Sequence, residues 1–590
     1  MLVFGDVERS EEPRAVRAAI AGILEQAGAM PPGLARHAEL ARAFVRAAEL
    51  AQAVADADFA AAGADRSTPA QAAGARFLHA LAAALLTSWS SAYRDFVPLP
   101  DAALADLALL DHRGPLRTRR AEGYALYALY PEAYFAAARA SGLGRDTCVI
   151  GIRSIGIGLA ALVAAALGAA PAVSLRPVGH PFARTVKIAP DLAANILAPG
   201  RTYAIVDEGP GLSGSSFLGV AAWLAARGVD RTRIHFFPSH GGDLGAQASA
   251  ENRAIWAAAS RHCVSIEDAI LTPADPSTSL SAWVTGVLGP LDGPLEDFSG
   301  GAWRAGLFPD PAHWPACDTQ MEKRKFLATA GGLSWLAKFS GLGDEGLRKF
   351  RIASRLAEAG FVPPVADLCH GFLLQRWIYA RPATNADFRA PRPRERVAAY
   401  LGFRARHLPA HAPGASLAEL AVMARNNAAE ALGADAAAAL VYLERDAERL
   451  APLVRPVATD NRCHAWEWLF NADGVLLKAD ALDHNSAHDL VGCQDIAWDV
   501  AGAAHELALG NADTAQLAAG VAAEAGHPVA TDLVAFYRPC YLAFQLGLWH
   551  FAAMSAGGAE VDRCRAAASS YAQALAEFIA AVPAQSSRIA

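Results

Sequence analysis

Thr202–Gly228 reads TYAIVDEGPGLSGSSFLGVAAWLAARG, and this order of residue types decides the fold that the sequence predicts. An apolar run, Tyr203–Val206, predicts a buried strand, and the acids Asp207 and Glu208 follow at its end. A glycine- and serine-rich loop, 209–216, comes next, and the apolar spacing after it predicts an amphipathic helix. Such a turn directs backbone N–H groups, hydroxyl groups and a helix N-terminus at one small volume. The sequence therefore predicts a phosphate-binding loop at the carboxyl end of a strand.

This unit belongs to a longer alternation of strands and helices. Short apolar runs recur about every 25 to 30 residues, with helical stretches between most of them. We expect an α/β fold with a doubly wound parallel sheet and right-handed crossovers, because parallel strands need such connections. The predicted strands are 148–153, 172–178, 202–208, 233–238 and 263–267.

The acidic pair and its loop resemble the phosphoribosyl-diphosphate signature of type I phosphoribosyltransferases. The resemblance implies that Asp207 and Glu208 are catalytic, holding the ribose hydroxyls and, through water, a magnesium ion. Four residues separate the acids from the serine loop, where the usual pattern has three. An ordinary strand–turn–helix crossover with solvated acids is the alternative. The residues that the resemblance implies for the 5′-phosphate are Ser213, Gly214, Ser215 and Ser216.

Neighbouring strand ends carry further groups that suit an anion. Arg153 and Ser154 follow the first strand, and the resemblance implies that this turn contacts the diphosphate. Arg176 and Arg184 follow the second strand and would form a cationic lip over a polyanionic ligand. Surface salt bridges are the alternative for these two arginines.

A second set of motifs lies in the carboxy-terminal half. Residues 326–578 resemble the aminoglycoside phosphotransferase/choline kinase group in the order and spacing of their motifs. Trp335–Phe339, WLAKF, is similar to the strand whose lysine contacts the nucleotide phosphates, and Phe372–Ile378, FLLQRWI, is similar to the hinge strand that binds adenine. The resemblance implies that ATP is bound here by Lys338, Gln375 and Trp377.

The catalytic loop of that group corresponds to 460–469, DNRCHAWEWL. Aligned on Leu469, Glu467 takes the place of the metal-binding asparagine and Arg462 that of the catalytic aspartate. Asp460, two residues away, acts as the base if the loop bends to present it. Otherwise the domain binds nucleotide without transferring phosphate.

Metal ligands are implied on both sides of the following hairpin. Glu467 and Asp480 would form a Mg²⁺ pair, and Asp499 fits the structural aspartate that braces the catalytic loop. Histidines and acids cluster in the same segment, where they line a substrate pocket, bind a metal or are solvated loop residues. These residues are His464, Asp483, His484, His488 and Asp489.

Length and composition predict a multidomain protein. The 590 residues divide into a helical cap, 1–100, a phosphoribosyltransferase-like α/β domain, 101–300, and a kinase-like α+β domain, 316–590. The Gly-, Pro- and Trp-rich stretch 289–315 is the expected linker, so each half is expected to fold alone. A net charge of −7 argues against a nucleic-acid or membrane partner. Eight scattered cysteines with no CxxC motif favour a cytoplasmic protein with reduced thiols.

Together these observations predict a bifunctional enzyme of ribosyl and nucleotide metabolism that acts on small molecules. One site would use phosphoribosyl diphosphate, as a transferase or in the reverse, phosphorolytic direction, and the other would be an ATP- and Mg²⁺-dependent kinase-like site. The alternative is a regulatory or sensor protein that binds both ligands without turnover. The acids and arginines kept in both sites favour catalysis, whereas Arg462 and the longer loop before Ser213 favour regulation.

Overall fold

A computed structural model of the protein describes residues 1–2, 4, 8–486 and 490–581. Over these residues the chain is a mixed α/β structure that contains two five-stranded sheets, one parallel and one antiparallel. His488 and Asp489 lie outside the described residues. No helix in the described ranges is both long and apolar enough to cross a bilayer.

The amino-terminal part is helical, as its alanine-rich pattern predicts. Its longest helix, α2, buries Leu40, Phe44 and Leu50 and nearly all the other residues from 39 to 55. Thr68 caps the next helix, since its hydroxyl accepts a hydrogen bond from Gln71 N at 3.2 Å. The elements are β1 Glu8–Glu11, α1 Pro13–Ala29, α2 Leu34–Ala62, α3 Pro69–Ser90, α4 Asp101–Ala108, β2 Leu116–Arg119, α5 Glu122–Leu126 and α6 Pro131–Ala140.

The next elements build the parallel sheet. Its strand order is β4-β3-β7-β8-β9, and all neighbouring pairs are parallel. The elements are β3 Thr147–Ile152, α7 Gly156–Leu167, β4 Val173–Leu175, β5 Pro177–His180, β6 Ala183–Val186, α8 Pro190–Ile196, β7 Thr202–Val206, α9 Ser215–Ala225, β8 Ile234–Phe237, α10 Ala250–Ala258, β9 Ser260–Arg261 and α11 Leu280–Leu288.

Side chains alternate between the two faces of this sheet, and both faces are buried. Along β7, Ala204 and Val206 belong to the same apolar cluster as Leu159 of α7. Tyr203 and Ile205 belong to a second cluster, which includes residues of α9 and α10. The parallel sheet that the sequence predicts is confirmed, and its assignment to the phosphoribosyltransferase arrangement stays a prediction.

Two local expectations are corrected. The fifth strand is Ser260–Arg261 rather than 263–267, because the chain leaves the sheet after His262 donates its N–H to Phe236 O at 2.8 Å. The segment that carries Arg176 and Arg184 is not a simple loop. Most of it forms the β5–β6 hairpin, whose antiparallel register pairs Gly179 with Arg184.

The antiparallel sheet has the order β10-β11-β12-β14-β13. Its edge strand, Glu296–Asp297, comes from the stretch 289–315, the expected linker, which therefore contributes to the sheet of the carboxy-terminal half. In the centre, Lys338 lies opposite both Lys325 and Leu373. The elements are β10 Glu296–Asp297, β11 Lys325–Ala330, β12 Leu333–Phe339, α12 Gly343–Glu358, β13 Val365–Cys369 and β14 Phe372–Arg376.

Helices dominate the remainder, as predicted. Helix α14 begins with a capping box in which Ser416 and Glu419 bind each other's backbone N–H groups. The elements are β15 Arg381–Pro382, α13 Pro391–His407, α14 Leu417–Leu432, α15 Ala434–Ala439, α16 Tyr442–Leu450, β16 Pro456–Val457, β17 Trp468–Phe470, β18 Leu476–Lys478, β19 Gln494–Asp495, α17 Ile496–Glu506, α18 Asn511–Ala525, α19 Thr531–Ser555 and α20 Ala559–Ala581.

One apolar core runs through both sheets. Phe44 of α2, Leu159 of α7, Phe339 of β12 and Phe372 of β14 belong to the same buried cluster. The helical cap, one face of the parallel sheet and the antiparallel sheet therefore share one apolar cluster, while the other face of the parallel sheet and the carboxy-terminal helices have clusters of their own.

Helix α2 also carries ion pairs to the carboxy-terminal half. Arg42 Nε lies 2.5 Å from Asp344 Oδ1, and Arg46 Nε lies 3.3 Å from the other oxygen of that carboxylate. Asp344 is in the first turn of α12, so the cap is tied to the helix that follows the central strand β12.

Candidate functional site

A cavity lies between the antiparallel sheet and the β17–β18 hairpin. Its lining brings together all the residues that the sequence predicts for ATP and for the kinase-site metal. Arg462 and His464 line it as well. The predicted residues in the lining are Lys338, Gln375, Trp377, Glu467 and Asp480.

The ammonium group of Lys338 is held by two carboxylates. Its Nζ lies 2.8 Å from Asp480 Oδ1 and 2.5 Å from Asp483 Oδ2. Burial alone would lower the pKa of Lys338, but the two carboxylates raise it well above its ordinary value. Lys338 is therefore a fixed positive charge at the surface of the cavity.

A second lysine pairs with the same aspartate from helix α12. Lys349 Nζ lies 2.6 Å from Asp483 Oδ1 and 3.3 Å from Glu345 Oε1. Glu345 also accepts a hydrogen bond from Arg348 at 2.7 Å. Asp483 thus bridges two lysines, and it is a residue of the predicted His/Asp cluster that the structure places beside Lys338.

Glu467 and Asp480 flank a third, fully buried lysine on β18. Lys478 Nζ lies 2.7 Å from Glu467 Oε2 and also donates a hydrogen bond to the backbone oxygen of Asp480. The Glu467 and Asp480 carboxylates both line the cavity, and carboxylates are the hard oxygen donors that Mg²⁺ takes, so the residue types present fit that ion. His484 lies at the same place, with Nε2 3.7 Å from Asp480 Oδ2.

Asp460, the proposed base, is buried and is not one of the described residues that line the cavity. Its carboxylate accepts a hydrogen bond from the Tyr400 hydroxyl and lies 3.5 Å from Lys478 Nζ and 3.8 Å from Arg404 Nη1. Burial would raise the pKa of Asp460, but Lys478 is the main group that holds it well below the usual range. In this conformation Asp460 is a structural anion with little basicity.

Asp499 occupies the bracing position expected of it. Its two carboxylate oxygens accept hydrogen bonds from the backbone N–H groups of Asp460 and Asn461, both at 2.8 Å. Burial, together with the nearby Asp460 carboxylate, raises the pKa of Asp499 to about 7. Asn461 has a φ of 64°, so the loop turns sharply where Asp499 holds it.

His464, which lines the cavity near Arg462, contacts groups that the sequence did not reveal and that are not among the described residues of the lining. His464 Nδ1 lies 2.8 Å from Glu506 Oε2, and Glu506 Oε1 accepts hydrogen bonds from Tyr541 at 2.8 Å and Tyr571 at 2.7 Å. Although burial opposes it, His464 helps lower the pKa of Glu506 to about 2. The guanidinium of Arg462 lies 5.9 Å from the centre of the Trp549 ring.

A second cavity lies beside the parallel sheet and is rich in arginine. Four predicted phosphate-site residues line it, and Arg117 and Arg119 of β2 add two cations that sequence reasoning missed. Glu8 pairs with Arg119 at 2.7 Å and partly offsets this charge. The predicted residues in its lining are Arg153, Arg176, Arg184 and Ser216.

The arginines of this cavity are held by Asp56 on α2, by Asp65 shortly after that helix, and by backbone groups. Asp56 Oδ1 accepts hydrogen bonds from Arg153 Nε at 2.9 Å and from Arg176 Nε at 2.8 Å. Arg153 also pairs with the buried Asp65. Arg184 donates to Gly179 O at 3.2 Å. Unlike Arg153 and Arg176, its guanidinium has no acidic partner among the described residues.

The acidic pair lies at the end of β7, where the Glu208 carboxylate lies beside Gly123 of α5 and the Asp207 carboxylate lies beside Gly156 at the start of α7. Tyr134 donates its hydroxyl hydrogen to Asp207 O at 2.9 Å, and burial raises the pKa of the Asp207 carboxyl well above its ordinary value. Burial and the Glu122 carboxylate raise the pKa of Glu208 to about 7. Neither acid is one of the described residues that line the arginine cavity.

Of the predicted phosphate loop, Ser213–Ser216, only Ser216 is among the described residues that line the arginine cavity. The hydroxyls of Ser213 and Ser215 donate to Pro181 O at 3.4 and 2.7 Å, which ties the loop to the β5–β6 hairpin. Gly214 precedes α9 with a φ of 66°. Ser154 lies in the turn between β3 and α7. Asp207 and Glu208 are not among the described lining of the arginine cavity, although Arg176 lies close enough to act on the pKa of Asp207 and partly offsets the effect of its burial.

No family model and no curated protein matches the chain. Among solved structures, the choline kinase LicA from Streptococcus pneumoniae is 18% identical, with a TM-score of 0.31, covering 42% of this chain and 89% of that one. A choline/ethanolamine kinase family protein from Mesorhizobium loti is 16% identical, with a TM-score of 0.32, covering 50% and 90%. A thermostable mutant of the aminoglycoside phosphotransferase APH(4)-Ia is 14% identical, with a TM-score of 0.31, covering 51% and 98%. At these values the matches say nothing about the substrate of this chain.

Proposed function

We propose that the cavity under the antiparallel sheet binds ATP with Mg²⁺ and that the protein is a phosphotransferase acting on a small molecule. The observation that carries the proposal is the contact between Lys338 Nζ and Asp480 Oδ1, 2.8 Å long, in a cavity that Gln375 and Trp377 also line. A lysine on a central strand and an aspartate after a hairpin are the pair that kinases place on nucleotide phosphates and metal.

The electrostatics support phosphate binding at this point. Lys338 is a permanent cation beside Asp480 and Asp483. A polyphosphate binds together with a metal ion, and these carboxylates would be available to that ion. Glu467 and Asp480 would hold Mg²⁺, which neutralises phosphate charge when it is bound. Lys338 would then contact phosphate oxygens, since an ammonium between anions stabilises the charge that develops during transfer.

The upper part of the cavity supports adenine binding. Leu336 and Leu373 come from adjacent strands of the sheet and, with Leu469 of β17, give the cavity apolar walls that suit a flat aromatic ring. The Gln375 amide donates to Pro363 O at 3.1 Å, which fixes one polar group at the wall.

The alternative function, ATP binding without phosphoryl transfer, is favoured by the position of Asp460. Its carboxylate is buried among Tyr400, Arg404 and Lys478, and Arg462 lines the cavity instead. Transfer therefore requires either a rearranged loop that presents Asp460 or an acceptor that needs little general-base assistance.

Calorimetric titration of the full chain with ATP, with and without Mg²⁺, tests the proposal, and phosphorus NMR detects turnover. We expect Lys338→Ala to weaken ATP binding about 10- to 150-fold, the value of a charged hydrogen bond. Lys187→Ala is the control, because Lys187 is an exposed lysine that follows strand β6. Unchanged affinity in Lys338→Ala, or no ATP binding by the parent, contradicts the proposal. Binding without product selects the regulatory alternative.

As a second candidate, we propose that the arginine cavity binds phosphoribosyl diphosphate or a related polyphosphate, as one half of a bifunctional enzyme or sensor. The favouring observation is that Arg153, Arg176, Arg184 and Ser216 line one cavity. Titration with phosphoribosyl diphosphate tests it. We expect Arg184→Ala to weaken binding while the exposed Arg145→Ala does not, and equal affinity of both variants contradicts the assignment.

A further inference from the structure

A buried cluster of two histidines and a glutamate joins three distant parts of the chain. His37 lies on α2, Glu132 in the first turn of α6, and His370 in the turn between β13 and β14. We infer that His37, Glu132 and His370 bind a transition-metal ion of the zinc type, which fastens the amino-terminal helices to the antiparallel sheet.

The three side chains converge on one point. His37 Nε2 lies 2.7 Å from Glu132 Oε1, and His370 Nε2 lies 2.9 Å from the same oxygen. One ligand atom from each residue falls within 4.8 Å of the other two. Two ligand atoms that bind one ion at about 2.0–2.2 Å are separated from each other by distances close to these spacings. A small shift of Glu132 therefore admits the ion.

Burial of the cluster supports a ligand there. Glu132 and His37 have no exposed surface, and His370 is 2% exposed. Glu132 Oε2 and His370 Nδ1 are buried and have no hydrogen-bond partner among the residues that the structure describes. A carboxylate oxygen left unpaired in an apolar core is costly, and a metal ion that both oxygens can approach removes that cost.

The surroundings orient the His37 imidazole and fix the backbone that carries His370. Ser88 Oγ lies 3.0 Å from His37 Nδ1, so the Nε2 lone pair is free to face Glu132 when Nδ1 carries the proton. Tyr130 donates its hydroxyl hydrogen to His370 O at 2.8 Å, which fixes the turn that carries this histidine. Tyr93 and Trp283 pack beside the rings and keep the site apolar.

The donor set selects the class of ion. Two imidazole nitrogens and a carboxylate suit Zn²⁺ and related divalent transition metals, whereas Mg²⁺ and Ca²⁺ take mainly oxygen ligands. None of the three residues is among the described residues that line the ATP cavity or the arginine cavity. The ion would therefore be structural, with its fourth position taken by water or by Glu132 Oε2.

A metal-free alternative uses the same contacts. Glu132 would then accept one N–H from each histidine, with the carboxylate charge balanced by a proton shared in the triad. The two states differ in the protons on the histidines. Metal binding needs both Nε2 atoms unprotonated, whereas the metal-free triad keeps a proton on each.

The test uses the full chain, stripped with a chelator, dialysed and titrated with Co²⁺ and with Zn²⁺. We expect one Zn²⁺ per chain after dialysis, a visible absorption band for bound Co²⁺ typical of a four-coordinate site with histidine ligands, and a higher Tm with Zn²⁺ than with chelator. Glu132→Gln keeps the shape of the side chain but removes its charge, and it should lose the metal and the Tm response. Glu39→Gln on α2 is the matched control and should keep both.

Absence of bound Zn²⁺ in the parent, together with a Tm that neither Zn²⁺ nor chelator moves, would overturn the site and leave the hydrogen-bonded triad. Retention of Zn²⁺ by Glu132→Gln would also overturn it. If Glu132→Gln fails to fold, the Co²⁺ spectrum and metal content of the parent decide alone. ATP binding is measured in parallel, so failure of this site is distinguishable from failure of the proposed function.

Discussion

At the scale of single residues, the proposed ATP site depends on how three lysines pair with the carboxylates in and beside the cavity. Lys338 pairs with Asp480 and Asp483, Lys349 pairs with Asp483, and Lys478 pairs with Glu467. A ligand that carries phosphate and metal must replace some of these lysine–carboxylate ion pairs with its own contacts. The contribution of each residue therefore depends on whether it touches the phosphate or the ion.

This division predicts different Mg²⁺ dependence for two substitutions. Asp480→Asn keeps the shape but removes a formal charge from the proposed metal pair, so we expect ATP affinity to fall sharply with Mg²⁺ present and little without it. Lys338→Ala should weaken binding in both conditions. Calorimetry with and without Mg²⁺ measures the difference, and an Asp480→Asn variant that responds to Mg²⁺ like the parent removes Asp480 from the metal site.

Asp460 gives a second prediction at this scale. If the loop presents it as the base, Asp460→Asn should lower turnover about 10²- to 10⁴-fold with ATP affinity nearly unchanged. Turnover is followed by phosphorus NMR, and thermal unfolding is recorded alongside, because Asp460 is also a partner of Lys478 and Tyr400. Parent-like turnover in a folded Asp460→Asn variant excludes the base role.

Glu208 predicts a pH dependence of stability. Its pKa is about 7 in the folded protein against an ordinary 4.5, so the unfolded chain releases its proton at lower pH than the native state does. Native stability therefore falls as pH rises from 4.5 to 7, by up to about 3 kcal/mol for this group. The unfolding free energy of Glu208→Gln minus that of the parent should grow across this window and stay constant above it. A difference that does not change with pH contradicts the assignment.

At the scale of elements, the loop before α9 shows why one glycine is required and another is not. Gly211 and Gly214 both have a φ of +66°, where a Cβ is disfavoured. A Cβ on Gly214 would lie 2.4 Å from Leu244 Cδ2, whereas one on Gly211 would meet nothing within 4 Å. The geometry of this loop is thus set by contact with the 239–249 segment as well as by backbone preference.

A matched pair of substitutions separates these two effects. We expect Gly211→Ala to cost about 1 kcal/mol of unfolding free energy, the usual penalty for the left-handed region. Gly214→Ala should cost about 1–3 kcal/mol more, because Leu244 must move. Chemical denaturation of both variants measures the difference. Equal losses would show that Leu244 yields without cost.

The sequence predicted those elements whose apolar runs are long enough to show a period. Four strands of the parallel sheet and the strand that carries Lys338 lie where their patterns placed them, within one or two residues for most ends. The edge strand Ser260–Arg261 has two residues and an exposed end, so it has no periodic signal. The β5–β6 hairpin was missed because its proline-rich sequence resembles a loop.

The candidate site was predictable only where one short stretch carries the residues. Lys338, Glu467 and Asp480 stand next to strands with recognisable spacing. Glu506, Tyr541 and Tyr571 come from three helices with ordinary amphipathic patterns, and only tertiary packing brings them to His464. The sequence predicted no role for these three residues, and the roles of the site residues that it did name stay predictions.

At the scale of the whole molecule, the shared core changes what is expected of the two halves. Phe339 and Phe372 are fully buried in a cluster that includes Phe44 and Leu159. We therefore expect an isolated fragment 316–590 to expose this surface and to lack a cooperative unfolding transition, although the sequence pattern alone predicted that it folds by itself. Differential scanning calorimetry and dye binding measure this. A sharp transition in the fragment would show that the core can be divided.

The same core bears on the order in which the protein is made. Phe44 of α2 leaves the ribosome more than 300 residues before Phe372 of β14, which belongs to the same apolar cluster. At about 5–20 residues per second, that interval lasts roughly 15 to 65 seconds. During this time the nascent amino-terminal helices can close only part of their apolar surface. Completion of the fold therefore waits until most of the chain has been synthesised, and the exposed helices are a natural target for a chaperone that shields apolar segments.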